Sequence, residues 1–208
     1  MKFISILAGL ALAITPAYLA AQNNSPDPPA EQNHVWNHGE FQAYGDYFHF
    51  TQATKPINFV GLGARVDFNT NPYLALEANM TYDFAQNYTS STTNGANTSF
   101  ARTSIRPLTG LFGPKFQLGT SGPVRGFLTG KVGFINFSGS SKAINGSAFS
   151  GAVNNVTGSG THVALYPGAG VEFFGGPIGF RVDVGDMMYM NNGLNNDLRI
   201  SGGPAIRF

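Results

Sequence analysis

From about Glu40 to Phe208 the chain alternates between apolar residues and small or polar ones, and it has little charge to put on a water-facing surface. Charged residues make up 11% of the sequence, against roughly a quarter in an ordinary soluble domain. Period-two alternation is the signature of a β-strand with two unlike faces. Eight such segments can be read, at roughly 40–50, 57–69, 73–86, 105–118, 124–138, 162–174, 178–190 and 196–208. In the second, Val60, Leu62, Ala64, Val66 and Phe68 share one face, opposite Gly61, Gly63, Arg65 and Asp67. The third sets Leu74, Leu76, Ala78, Met80 and Tyr82 against Ala75, Glu77, Asn79, Thr81 and Asp83. The sixth and last segments repeat the division, ending in Leu198, Ile200, Ile206 and Phe208 against Arg199, Ser201, Gly203 and Arg207. An apolar outer face on every strand, with the charges on the other, suits a sheet closed on itself with lipid outside. A soluble ligand-binding barrel would carry charge on its outer face. The expected fold is therefore all-β, an eight-stranded antiparallel up-and-down transmembrane barrel over residues 39–208.

The connections give the barrel a direction. Asn69–Pro72 (NTNP), Gly119–Pro123 (GTSGP) and Gly175–Pro177 (GGP) are short and turn-like. Alternating with them are longer links at Thr51–Pro56, Asn87–Ser104, Gly139–Thr161 and Asn191–Asn195. The two longest are rich in Ser, Thr, Asn and Gly. Short turns on one side and long polar loops on the other match the periplasmic and extracellular ends of an outer-membrane barrel. Aromatics near the strand ends predict two interfacial girdles: Phe41, Phe68, Tyr73, Phe116, Phe173 and Phe174 at the short-turn end, and Phe50, Phe84, Tyr88, Phe137 and Tyr189 at the other. Three residues break the pattern. Pro107 and Pro114 sit inside the fourth segment, where proline cannot donate to a ladder. Asp186 falls on the apolar face of the seventh, and a bulge near Gly185 is expected to turn it inward and to send Met187 and Tyr189 out.

Before the barrel, MKFISILAGLALAITPAYLAA has a positive start, a short apolar run and small residues, the order of a secretory signal peptide. Residues 1–21 are read as that signal, with cleavage most simply after Ala21. Residues 22–38 are read as a polar, Pro-rich linker. No later apolar run is long enough for a membrane-spanning helix. With no cysteine, the chain has neither a disulfide framework nor a thiolate site. A net charge of +1 without any basic run argues against nucleic acid as a partner.

The order of Gly-spaced strands (NFVGLGARVDF, LYPGAGVEFF) and the last strand DLRISGGPAIRF, ending in Phe208, resembles the small outer-membrane β-barrel family that contains the OmpA transmembrane domain, OmpX and Ail. The likeness covers about Gly39 to Phe208. It implies location in a bacterial outer membrane, contact with outer-membrane lipids, and recognition of the Phe208-terminated strand by the barrel-assembly machinery. With the sequence stopping at Phe208, the peptidoglycan-binding domain of longer members, and its tethering role, is not expected.

Charges of both signs fall on the inward faces, among them Asp46, Arg65, Glu77, Lys115, Lys131, Glu172, Arg181 and Asp183, together with Asp67, Asp83, Arg125, Arg199 and Arg207. Eight strands leave an interior just wide enough for side chains, so these groups are expected to pair and plug the lumen. Acyl-transfer chemistry needs Ser, His and a carboxylate within reach of one another. The nearest sets are His49 with Asp46, and His162 with Ser159 and Thr161, and neither supplies all three. His34 and His38 have metal-compatible spacing only on a helix, and GFLTGKV at 126–132 lacks the phosphate-loop spacing. No catalytic, cofactor or metal residue is expected. The expected role is in membrane integrity or surface contact, with an extracellular ligand or surface met through residues 87–104 and 139–161. The alternatives are a narrow channel for ions or small solutes and a lipid-modifying enzyme.

Overall fold

The computed structural model describes residues 38–51, 56–94, 97–119, 122–143, 160–191 and 193–208. The signal-peptide reading, and all of the linker reading except His38, fall outside them. Nine strands follow in chain order: β1 (Gly39–Phe50), β2 (Ile57–Asn71), β3 (Leu74–Asp83), β4 (Gln86–Asn94), β5 (Asn97–Gln117), β6 (Val124–Ala143), β7 (Gly160–Gly175), β8 (Ile178–Met190) and β9 (Leu194–Arg207). All pairings are antiparallel. The sheet runs β3-β2-β1-β9-β8-β7-β6-β5-β4, and β3 also pairs with β5, which closes the ring. β3 and β4 are successive pieces of one stave, parted at Phe84 and Ala85, and both lie against β5. The barrel thus has eight staves.

Closure follows from the solvent. Lipid cannot satisfy backbone N–H and C=O groups, so a sheet in a membrane must have no free edge at that depth. The seam between β1 and β9 runs from Glu40↔Arg207 to His49↔Leu198. Gly39 N–H donates to the Phe208 carbonyl at 2.9 Å, and Phe208 N–H returns the bond at 3.0 Å. Outward positions are apolar and exposed on every wall, Leu62, Met80, Phe112, Leu128, Val163 and Ile206 among them. Inward positions hold most of the charged side chains, which are buried except for Arg125.

Four expectations need correction. Asn87–Ser104 is largely a β-hairpin, with β4 paired to β5 from Gln86↔Ile105 to Asn94↔Asn97. Its Thr-rich alternation needs no apolar face once it has left the membrane, and Asn94–Gly95 is a hairpin-turn signal. The start of Gly139–Thr161 is likewise strand, because β6 runs on to Ala143, beside Ala101 of β5. Residues 144–159 lie outside the described ones.

The outer girdle is the third correction. Phe84 faces outward, but Phe50, Phe137 and Tyr189 point inward and are buried. They have the same parity as the charges on their strands, which decides their side. The side chain of Tyr88 is outside the described residues. At the short-turn end Phe41, Phe68, Tyr73, Phe116 and Phe173 are exposed as expected, whereas Phe174 is half-buried beneath Arg207. Last, there is no bulge at Gly185. The β8–β9 register is unbroken from Ile178↔Ile206 to Met190↔Leu194. Asp186 stays on the outer face, half-buried, and Met187 and Tyr189 are buried inside.

The prolines are absorbed without a shift of register. Pro107 keeps its place opposite Phe137. At Pro114 the β5–β6 ladder skips from Phe112↔Val132 to Lys115↔Thr129 in the same register, and the Thr129 hydroxyl donates to the Pro114 carbonyl at 3.1 Å.

In detergent the protein should give a strand-dominated circular dichroism spectrum and migrate differently on gels with and without boiling. Leu62→Arg, on the outer face near mid-height, should cost about 2–4 kcal/mol of folding stability in lipid vesicles. An unchanged stability would place Leu62 away from lipid.

Candidate functional site

The lumen is the candidate site, and it is built in two layers. The lower layer, toward the short turns, is ionic. Glu172 on β7 accepts from Lys115 Nζ at 2.6 Å, Gln117 Nε2 at 3.0 Å and Arg207 Nη2 at 2.7 Å. Lys115 also donates to Asp67 at 2.5 Å, and Arg207 Nε to Glu40 at 3.2 Å. Arg181 bridges upward, donating to Asp67 at 3.0 Å and to Glu77 at 2.6 Å. Glu77 is the hub. Besides Arg181 it holds Lys131 Nζ at 2.5 Å and Arg65 Nε at 3.0 Å. Arg65 Nη1 continues to Asp183 at 2.8 Å, and that carboxylate also accepts from Ser201 at 2.8 Å and Tyr166 at 3.2 Å. At the top of the layer Arg199 takes both oxygens of Asp46, at 2.9 and 3.0 Å, and Asp83 at 3.2 Å.

Each of the eight charges read from the sequence lies in this interior, buried. Asp46 is the one set apart: it meets Arg199 rather than the group around Glu77. Glu40 was missed in the sequence because it stands at the strand start, although its parity matches Gln42 and Asp46. Arg125 is half-buried at the rim, opposite Glu172 in the register, and its Nε donates to the Gly122 carbonyl at 3.5 Å.

Aromatic rings complete the lower layer, and sequence reading did not find their part in it. Tyr44, Phe127 and Tyr166 lie so flat on the wall that a Cβ on Gly63, Gly170 or Gly185 would sit 2.3–2.5 Å from a ring atom. Only glycine leaves that room. Above the rings sit cations: Arg65 at 4.7 Å from the centre of Tyr44, Arg181 at 4.0 Å from Phe127 and Lys131 at 4.8 Å from Tyr166. Each cation thus has carboxylates on one side and a π-face on the other, an arrangement strengthened by exclusion of water. The recurring inward Gly on the strand next to an inward aromatic was the available signal.

The upper layer is apolar apart from Asp197, a buried carboxylate that accepts from the Tyr189 hydroxyl at 3.1 Å and the Thr51 hydroxyl at 2.6 Å. Phe48 stacks on Phe59 at 6.1 Å, while Phe50 and Tyr189 each pack on Phe137 at 5.5 Å. Ile105, Leu111, Ile135 and Met187 fill the space between. Between the layers a cavity lined by Tyr44, Asp46, Arg65, Lys131, Tyr166 and Asp183 measures about 10 Å³, room for one water at most.

Three carboxylates, Glu40, Asp67 and Glu172, offer oxygens within 4.8 Å of one another, a possible cation cage. The Lys115 ammonium already stands among them, at 3.7, 2.5 and 2.6 Å. It is their shared counterion. The catalytic pairings weighed from the sequence do not assemble. His49 and Asp46 project to opposite faces of β1, and His49 instead pairs with Asn58 at 2.6 Å. His162 Nδ1 lies 2.9 Å from the Met190 carbonyl, and Thr161 accepts from Asn136 at 2.8 Å. Ser159 and His34 are outside the described residues. GFLTGKV is a stretch of β6 whose lysine, Lys131, points into the lumen.

No family model matches the sequence, and no curated protein matches it. Solved structures do. The chain is similar in fold to small outer-membrane barrels. Ail, the attachment invasion locus protein of Yersinia pestis, solved with the heparin analogue sucrose octasulfate, is 14% identical, with 82% of this chain and 99% of that one covered and a TM-score of 0.45. The N-terminal β-barrel domain of Pseudomonas aeruginosa OprF is 12% identical over 82% of this chain and 96% of that one, at a TM-score of 0.47. Neisserial surface protein A is 11% identical over 82% and 97%, at 0.49. Identities this low carry the fold and nothing finer.

Glu77→Ala should destabilise the folded barrel by about 3–5 kcal/mol in urea titrations, because it removes the carboxylate that three buried cations share and leaves Lys131 without its ion-pair partner. Glu77→Ala combined with Lys131→Met should recover part of that loss. Additive losses would mean that Glu77 and Lys131 do not interact.

Proposed function

We propose that this protein is a closed, non-conducting outer-membrane barrel that reinforces the membrane and holds a polar sheet out for contact at the cell surface. The observation that carries the proposal is the filled lumen: an ion-paired layer below, an aromatic layer above, and a gap of about 10 Å³ between them. Ions need a continuous wet path, and side chains occupy it here. The outward element is β4 with the upper parts of β5 and β6. β5 has 21 residues and β6 has 20, whereas about 9–11 suffice to cross a membrane. What remains stands clear of the lipid, and the stretch 84–101 contains no charged residue. Contact through residues 84–101 would be by hydrogen bonds from Ser, Thr and Asn rather than by charge.

The reading includes export with cleavage near Ala21, insertion by the barrel-assembly machinery through the strand ending in Phe208, and domain limits of 1–21, 22–38 and 39–208. Outer-membrane lipids are the constant partner, and residues 87–104 and 139–161 are the regions offered to a ligand or surface. It assigns no enzymatic role, since the pairings of His49 with Asp46 and of His162 with Thr161 do not assemble.

Two measurements test this. In planar bilayers the purified protein should give only rare, small conductance events, and steady ohmic current would favour the narrow channel instead. Epitope tags placed between Asn94 and Asn97 should bind antibody on intact cells, while tags at Asn69–Pro72 or Gly175–Pro177 should not. The reverse pattern would invert the topology.

A further inference from the structure

On the wall formed by β3, β5 and β6 the outer face is apolar from the short turns up to the level of Tyr82, Leu108 and Phe134. Above that level β5 becomes basic. Arg102 and Arg106 both have the outward parity of Leu108 and Phe112, and both are exposed. Arg106 is held in place: its Nη1 donates to the Tyr82 hydroxyl at 3.0 Å and its guanidinium lies 5.2 Å from the centre of that ring. Tyr82 is in turn set edge-on against Phe84 at 6.2 Å. One of the five guanidinium N–H groups is used by the tyrosine, which leaves four for a ligand. Arg102 lies four residues further out, about 13 Å along the strand, and its register partner on β6 is Lys142. Among the described residues the outward-facing carboxylate is Asp186, on β8, with β6 and β7 between it and β5. No acid on the same wall neutralises the two arginines.

We propose that Arg102 and Arg106 form a binding site for the phosphorylated headgroup of an outer-leaflet glycolipid. This rests on the outer-membrane reading given above. Two features select a lipid over a soluble anion. Arg106 stands directly on the aromatic level where headgroups meet hydrocarbon, and the rings beneath it, Tyr82 and Phe84, are exposed to whatever surrounds the barrel. A phosphate at that level is presented by a molecule whose acyl chains run down the apolar wall below. Guanidinium forks suit phosphate oxygens geometrically as well as in charge.

The test uses the full chain, folded in neutral detergent, offered equal amounts of bis-phosphorylated lipid A and its dephosphorylated form, with bound lipid read by native mass spectrometry. The wild type should retain the phosphorylated lipid about tenfold or more over the other, given roughly 1 kcal/mol for each basic group at a membrane surface. Arg102→Gln with Arg106→Gln should abolish that preference while boiled and unboiled samples still migrate differently, since neither side chain enters the lumen. Tyr82→Phe, which keeps the ring and removes the hydroxyl clamp, should lower the preference and leave it above that of the double variant. Equal retention of both lipids by the wild type would overturn the proposal, as would a preference that survives in the double variant. Competition by millimolar inorganic phosphate as strong as that by the lipid would assign the site to free anions and overturn it too. Failure of the wild type to fold in detergent would instead strike at the barrel reading itself.

Discussion

Everything in this protein depends on closing a ring of backbone hydrogen bonds. In hydrocarbon an unpaired peptide group costs several kcal/mol, so the first and last strands must meet. They do, along a seam that Gly39 and Phe208 finish with a reciprocal pair of bonds. Once the ring is closed, the two faces of each strand have no choice of environment. The outer one takes lipid, and the inner one takes whatever can fill a tube of eight staves. A close approach across the wall is tolerated where it must be: a Cβ on Gly203 would stand 2.1 Å from the Ala43 carbonyl.

The interior solves two problems at different heights. Near the short turns, seven carboxylates (Glu40, Asp46, Asp67, Glu77, Asp83, Glu172 and Asp183) face six cations (Arg65, Lys115, Lys131, Arg181, Arg199 and Arg207). Such density is tolerable because most of these groups share more than one partner and because flat rings, rather than bare backbone, line the wall behind the cations. Toward the loops the same tube is closed by Phe48, Phe50, Phe59 and Phe137, which need no polar partners, and by Tyr189, whose hydroxyl donates to Asp197 at 3.1 Å. Burying one such side chain contributes about 1.5–3 kcal/mol. The aromatic layer also keeps water off the ionic layer beneath it.

Strand number, closure and the side of most charges were legible in the sequence, because a period of two leaves only two sides to choose from. Lys115, Arg181 and Glu77 were placed inside on parity alone. Partners were harder: Asp46 joins Arg199 because of how far each stave is shifted against the next, and alternation carries no record of that shift. The aromatics at the loop end misled for a related reason. Phe50, Phe137 and Tyr189 sit at girdle height, and height was given weight over parity. Asp186 misled in the opposite sense, since a charge on a lipid-side position invited a bulge that Gly185, seated under Tyr166, does not need. The β4–β5 hairpin stayed hidden because uncharged Ser and Thr outside a membrane look like loop until the pairing is seen.

The ionic layer has a consequence for the order of events as the chain folds. Its bonds join residues far apart in sequence: 48 positions separate Lys115 from Asp67, 114 separate Arg181 from Asp67, and 167 separate Arg207 from Glu40. Contacts of such separation form late, after the loops between them have been closed. The Glu40–Arg207 pair in particular lies across the seam and has no meaning until β1 and β9 are joined. The network therefore acts on the rate at which a finished barrel comes apart, far more than on the rate at which one is made. It serves as a lock on the completed ring, set by the last strand to arrive.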